Sequence, residues 1–266
     1  MPTPHATERD ILAGLGLLAS AGIDFDPGLR TLGRVSHARG FNVHCLVIDN
    51  ADGEVVALER NRIHADDNPL QHAEQVAVRA ALVRLRAKRP RPVGMPVDTY
   101  YKTMLFMAPG TAEVDFFDRG CTLYNTFDPC GMCAVTLLVA YMKRIAYLFD
   151  DAKFVAVYDD MKTKYFTGRD SVKDAKPFPL VEGDGLLGKA SSLIGRLREK
   201  VKELEHNPDP AKKVPLVLTL DNCHAELQEA VSLLIEADPA QLTSTGPERE
   251  KNARTLSDLK RLCNIN

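Results

Sequence analysis

Cys130 and Cys133 stand three apart in FDPCGMCAV, residues 127–135, introduced by a proline and running straight into apolar residues. A C-x-x-C pair suits a redox dithiol, a structural zinc knuckle or half of a catalytic metal site, and nothing in the pair decides. What bears on the choice is NPLQHAEQ, residues 68–75, where His72 is followed two residues later by Glu74. One imidazole and two thiolates make three protein ligands and leave a fourth zinc position open, the mark of a catalytic site as against a closed structural one. Both ligand groups fall where helices are expected to begin, and the unpaired amides there favour thiolate. Glu74, two residues from His72 and off its helical stripe, is then available to move protons. The rival readings are bland. A redox pair needs no histidine–glutamate partner. A structural zinc would need a fourth ligand, and the nearest candidate, Cys121, opens the strand whose far end leads to the pair. The adjacent Cys223 and His224 make only a weak case for a second metal.

The elements that must position these residues follow from periodicity and turn chemistry. ATERDILAGLGLLASAGID reads as an N-terminal helix capped by Thr7, although Gly14 and Gly16 count against it. FNVHCLVIDN and EVVALERN, rich in Val, Ile and Leu and separated by ADG, predict a β-hairpin. Asn68-Pro69 predicts the cap and first position of a helix through PLQHAEQVAVRAALVRLRAK, which stops before RPRPVGMP. Residues 89–118 form an irregular insertion with one candidate strand, YKTMLFMA. CTLYNTF alternates and predicts a strand entering the Asp128-Pro129 turn; MCAVTLLVAYM is a helix; RIAYLF and FVAVY are further strands. This alternation predicts an α/β sheet covered on both faces, over residues 1–170. Beyond DAKPFPLVEGDG, residues 171–266 read as an all-helical C-terminal extension with helices in LLGKASSLIGRLREKVKELE, ELQEAVSLLIEA and PEREKNARTLSDLKRLC.

Composition bounds the function. The 266 residues are 45 % hydrophobic with a net charge of −2, which argues against a dedicated nucleic-acid binder. No apolar run is long enough to span a membrane, MPTPHATERD does not read as a signal peptide, and six cysteines are not a disulfide framework in a chain this long. A cytoplasmic protein with no membrane partner is expected. The basic run RAALVRLRAKRPR, residues 79–91, invites a phosphate-gripping reading through Arg84, Arg86 and Arg89. It reads more simply as the solvated face of an amphipathic helix, since no aromatics are interleaved.

The ordered pair HAE and PCGMC, H-x-E then P-C-x-x-C, resembles the zinc nucleobase deaminase signature. Residues 41–149 resemble the cytidine deaminase superfamily, in the branch of guanine deaminases and tRNA adenosine deaminases. FNVHCLVIDNADGEVVALERN is similar to that branch's opening hairpin with its terminal asparagine, here Asn61. NPLQHAE is similar to its D-P-T-x-H-A-E, and CTLYNTFDPCGMC to its T-L-Y-x-T-x-E-P-C-x-M-C. The resemblance implies a three-layer α/β/α mixed sheet, with the helical C-terminal region as an addition. It implies Zn2+ held by His72, Cys130 and Cys133, proton transfer by Glu74, and substrate contacts from Asn61 and the Ala73 amide. It also implies a homo-oligomer, a dimer in the simplest case. The chain departs from the branch at His44-Cys45, where a small Gly-Ala pair is usual, and at Asp128, where Glu is usual. His44 thereby becomes a candidate substrate contact, and Cys45 reads as core. The expected activity is hydrolytic deamination of a small nitrogen heterocycle, a guanine-like free base or a nucleoside-like metabolite. The alternatives are deamination of bases in tRNA or single-stranded DNA, and a catalytically silent zinc-binding module.

Overall fold

A computed structural model describes residues 4–24, 42–100, 120–142, 144–150, 157–165, 176–214 and 219–265. In chain order the main elements are α1 Pro4–Ile23, β1 His44–Asp49, β2 Glu54–Arg60, α2 Ala73–Lys88, α3 Val97–Tyr100, β3 Cys121–Phe127, α4 Gly131–Val139 and β4 Arg144–Phe149. They continue with α5 Val157–Tyr165, β5 Lys176–Pro177, α6 Leu186–Glu205, α7 His224–Glu236 and α8 Gly246–Leu262. The sheet order is β2-β1-β3-β4-β5. β1 is antiparallel to both β2 and β3, whereas β3, β4 and β5 run parallel. This is the α/β sheet that the alternation predicts, and it is mixed, as the resemblance implies.

Strand alternation sorts the side chains onto two faces. On the front face Cys45, Val47, Ala57, Leu123 and Ile145 pack with Ala73, Ala77 and Ala81 of α2 and Ala134, Leu137 and Leu138 of α4. On the back face Leu46, Ile48, Tyr124 and Leu148 join α1, α6, α7 and α8 in one core. The C-terminal helices are therefore the back layer of the fold and share its core, where the sequence reading set them apart beyond residue 170.

Helix α1 is the centre of that layer and is buried continuously over residues 8–19. A helix with neighbours on all sides is apolar all round, and its three charges are each held by partners. Glu8 accepts from Thr243, Ser244 and Asn252. Arg9 donates to Asn252 and Glu248. Asp10 accepts from Arg144 and from the Tyr124 hydroxyl. The helix glycines also find their reason here, because a methyl group on Gly16 would lie 2.4 Å from Leu259 of α8.

Helix α8 also fastens the β1–β2 turn. Gly53 has φ +74°, and a methyl group there would meet the Lys251 carbonyl oxygen at 2.1 Å. Thr255 Oγ1 donates to the Gly53 carbonyl at 2.6 Å, Arg254 pairs with Asp52 and Glu54, and the Val55 amide donates to Asp258.

The helix carrying His72 starts later than predicted. His72 is its N-cap, because the Asn68 side chain accepts from the Leu70 amide and turns the chain there. Helix α4 closes at Val139, two residues before Tyr141 takes a left-handed conformation with φ +58°. Val157 and Tyr158, read as the end of a strand, open helix α5 instead. The rest of that stretch and YKTMLFMA lie outside the described residues. Among the described residues, no helix is long and apolar enough to cross a membrane.

Candidate active site

Two helix starts face each other on the front of the sheet. His72 is the N-cap of α2 and Cys130 the N-cap of α4, both in extended conformation. Cys133 lies in the first turn of α4. The ligand atoms of His72, Cys130 and Cys133 all fall within 4.8 Å of one another, the single such group among the described residues. Cys130 Sγ and His72 Nδ1 are 3.7 Å apart. Cys121 is not in the group, since it pairs with Asp49 at the opposite end of β3. Cys223 is buried and donates to the Thr219 carbonyl.

The cluster is electrostatically tense. The Cys130 thiol is pulled down to about 4, first by the hydrogen bond from Cys133 and then by His72, against its burial. Cys133 is pushed up by that same shared proton and by burial, and the bond to Cys130 raises His72. Two sulfurs and one imidazole gathered around one point are the donor set of a borderline-soft divalent ion, and Zn2+ fits it. These three residues would hold the ion and release their shared proton to solvent on binding it.

Glu74 is 5 % exposed in the first turn of α2. Burial raises its pKa, with the Cys130 charge adding to it and its own backbone amide and His72 opposing. Its Oε1 accepts from Asn125 Nδ2 at 2.8 Å, and the same amide donates to the Phe127 carbonyl at 2.7 Å. Asn125 Oδ1 is buried with no hydrogen-bond partner among the described residues. Asn125 was not singled out in the sequence. Its signal was there: an amide on the front face of CTLYNTF, where Cys121 and Leu123 precede it at alternate positions.

Register places four front-face residues in one row across the sheet, Glu59 on β2, Cys45 on β1, Asn125 on β3 and Tyr147 on β4. Cys45 is fully buried, and its thiol is held up by burial and then by the Glu74 and Glu59 carboxylates. Ala73 is buried beside Glu74. Asn61 is buried two residues past Glu59; its amide donates to Val43 and its Oδ1 accepts from the Ile63 amide, which fixes the side chain.

His44 is the correction. It precedes Cys45 on β1, so alternation turns it to the back face, away from the cluster. There it is 1 % exposed, with Nδ1 3.0 Å from Ser20 Oγ of α1 and Nε2 2.8 Å from Asn42 Oδ1. It is a polar piece of the back core, and the front position belongs to Cys45.

The comparisons agree with this geometry. Residues 30–149 match the family described as the cytidine and deoxycytidylate deaminase zinc-binding region. A tRNA-specific adenosine deaminase of Aquifex aeolicus is 24 % identical over 153 residues, which is 56 % of this chain and 79 % of that protein. Among solved structures, one from studies of A-to-I editing by tRNA:A34 deaminases shares 21 % identity, covering 61 % of this chain and 93 % of its own, with a TM-score of 0.35. A guanine deaminase from Nitrosomonas europaea shares 15 % identity over 74 % of this chain and 85 % of its own, with a TM-score of 0.36. At those scores the structural likenesses carry no weight of their own. The likeness rests on the matched region and on the cluster inside it: residues 30–149 match a deaminase zinc-binding region, and His72, Cys130 and Cys133 lie within that match.

Proposed function

We propose that the protein is a zinc-dependent hydrolytic deaminase of a small nitrogen heterocycle, a guanine-like free base or a nucleoside-like metabolite, releasing ammonia. The observation that carries this reading is Glu74, a buried carboxyl poised beside the His72, Cys130 and Cys133 group and held by Asn125. When bound, zinc supplies Lewis-acid activation of water near neutral pH. Glu74, with its pKa raised by burial, would take one proton from the attacking water and give it to the ring nitrogen, then take the proton of the added hydroxyl and give it to the departing amine, which leaves as ammonia. Asn125 fixes Oε1 and so sets the plane in which the carboxyl works. A silent binding module has no chemical need for such a group.

The basic stretch of α2 favours a small substrate over nucleic acid. Arg84 pairs with Glu54 at 2.6 Å, Lys88 with Asp49 at 2.6 Å and Arg89 with Asp49 at 2.5 Å. These cations are committed to the β1–β2 hairpin, where a phosphate would have to displace a carboxylate.

The test is ammonia release by the zinc-loaded protein from free bases, nucleosides, nucleotides, pterins and short oligonucleotides. Glu74→Ala is expected to keep its zinc and lose roughly 10²- to 10⁴-fold in rate on the active substrate. Release from oligonucleotides alone would move the reading to nucleic acid. No release above the Glu74→Ala control would overturn it.

A further inference from the structure

Glu59 is the one charged residue in the front-face row that also holds Cys45 and Asn125. Adjacent strands lie about 4.8 Å apart, so two strand spacings put its backbone roughly 10 Å from that of Asn125, which grips Glu74. Cys45 stands between them, and both carboxylates bear on its thiol. The other charged residues of β2 are satisfied: Glu54 by Arg84, Lys88 and Arg254, and Arg60 by Asp24. Glu59 is half-buried and makes no hydrogen bond or close ion pair among the described residues; burial raises its pKa, and Arg62 and Arg60 oppose this from a distance. A half-buried carboxylate on the face where the proposed chemistry occurs is an acceptor waiting for donors.

We propose that Glu59 is a specificity-determining residue: its carboxylate accepts from a ring N–H on the edge of the heterocycle away from the amine that leaves. This rests on the deaminase reading and narrows it to free bases. A free base presents the N–H that a nucleoside has lost to its sugar, whereas a nucleotide or nucleic acid brings a phosphate toward a carboxylate that repels it. Cys45, fully buried, is the small uncharged residue between the two acids in this row.

The experiment is steady-state deamination by the zinc-loaded wild type, Glu59→Ala and Glu59→Gln, with Glu74→Ala as blank. The substrates are guanine, adenine and cytosine beside 9-methylguanine, 9-methyladenine and 1-methylcytosine, which lack the N–H at the glycosidic nitrogen. The wild type is expected to prefer one free base over its methylated partner roughly 10- to 100-fold, the span of one hydrogen bond to a charged group. Glu59→Ala should raise KM for that base by the same factor, leave kcat within about 2-fold, and abolish the preference; Glu59→Gln should fall between. Zinc content reports folding, and if the alanine variant loses metal the glutamine variant is read alone. An unchanged preference in a zinc-replete variant, or a loss confined to kcat, overturns the role of Glu59 while the deaminase reading stands. A wild type no more active than the blank overturns both.

Discussion

The two faces of the sheet are built from the same strands but to different ends. The back face is a thick core: α1 lies buried along it with α6, α7 and α8 around it, and the charged groups of α1 find partners within the protein, as in Glu8 with Asn252 or Asp10 with Arg144. The front face is a thinner layer of two helices, rich in alanine, and it gathers its ionisable groups around one point. It carries a buried Glu74, a thiol pair contending for one proton, an Asn125 oxygen with no partner among the described residues, and Glu59, answered only at a distance by Arg60 and Arg62. Such groups are gathered where chemistry requires them. One residue step along β1, from His44 to Cys45, separates the two regimes.

Three changes test this division. The largest effect is expected at His44, whose pKa is held down to about 4 by burial, with Asp24 pulling it up and Arg60 down. The unfolded chain binds a proton near pH 6.5 and the folded one only near 4, so stability is intact above the higher value and drains away as pH falls toward the lower. The wild type should lose about 3 kcal/mol more than His44→Gln between about pH 7 and about pH 4, in urea unfolding at each pH. Equal losses would mean that His44 is not sealed in the back core. Next comes Asn125→Ala, expected to lower kcat roughly 10- to 100-fold with zinc content unchanged, because a positioning partner is lost and not a ligand. If zinc leaves with the amide, the front face is one mechanical unit and the distinction between holding metal and moving protons fails. Smallest is Gly53→Ala, expected to cost about 1–3 kcal/mol through its positive φ and the Lys251 carbonyl, with kcat/KM unaltered. A fall in kcat/KM would show that the hairpin transmits strain from the back layer to the site.

Much of this was legible in the sequence, because the site residues lie close to punctuation. HAE and PCGMC each sit at a helix start, and the strands CTLYNTF and RIAYLF end where predicted. What the sequence hid was mostly sidedness. Period-2 alternation tells which residues share a face but not which face meets the metal, so His44 was assigned to the wrong one and Asn125 passed unnoticed. The C-terminal helices looked separate because their periodicity shows only that they pack on something; that the something is α1, nearly the whole chain away, is a long-range fact. Gly14 and Gly16 weakened the prediction of α1 through propensity, whereas their use is close approach between helices.

The hold of α8 on the hairpin has one more outcome. β2 is an outer strand of the described sheet, and an outer strand offers unpaired amides to any passing chain. Here the Val55 amide is taken by Asp258, and Arg254 closes over Asp52 and Glu54 beside it. At the opposite margin β5 is two residues long, and one of them is Pro177, which has no amide hydrogen to give. At these two points the described sheet offers little to extend, and edge-to-edge growth of the kind that ends in fibres is opposed there.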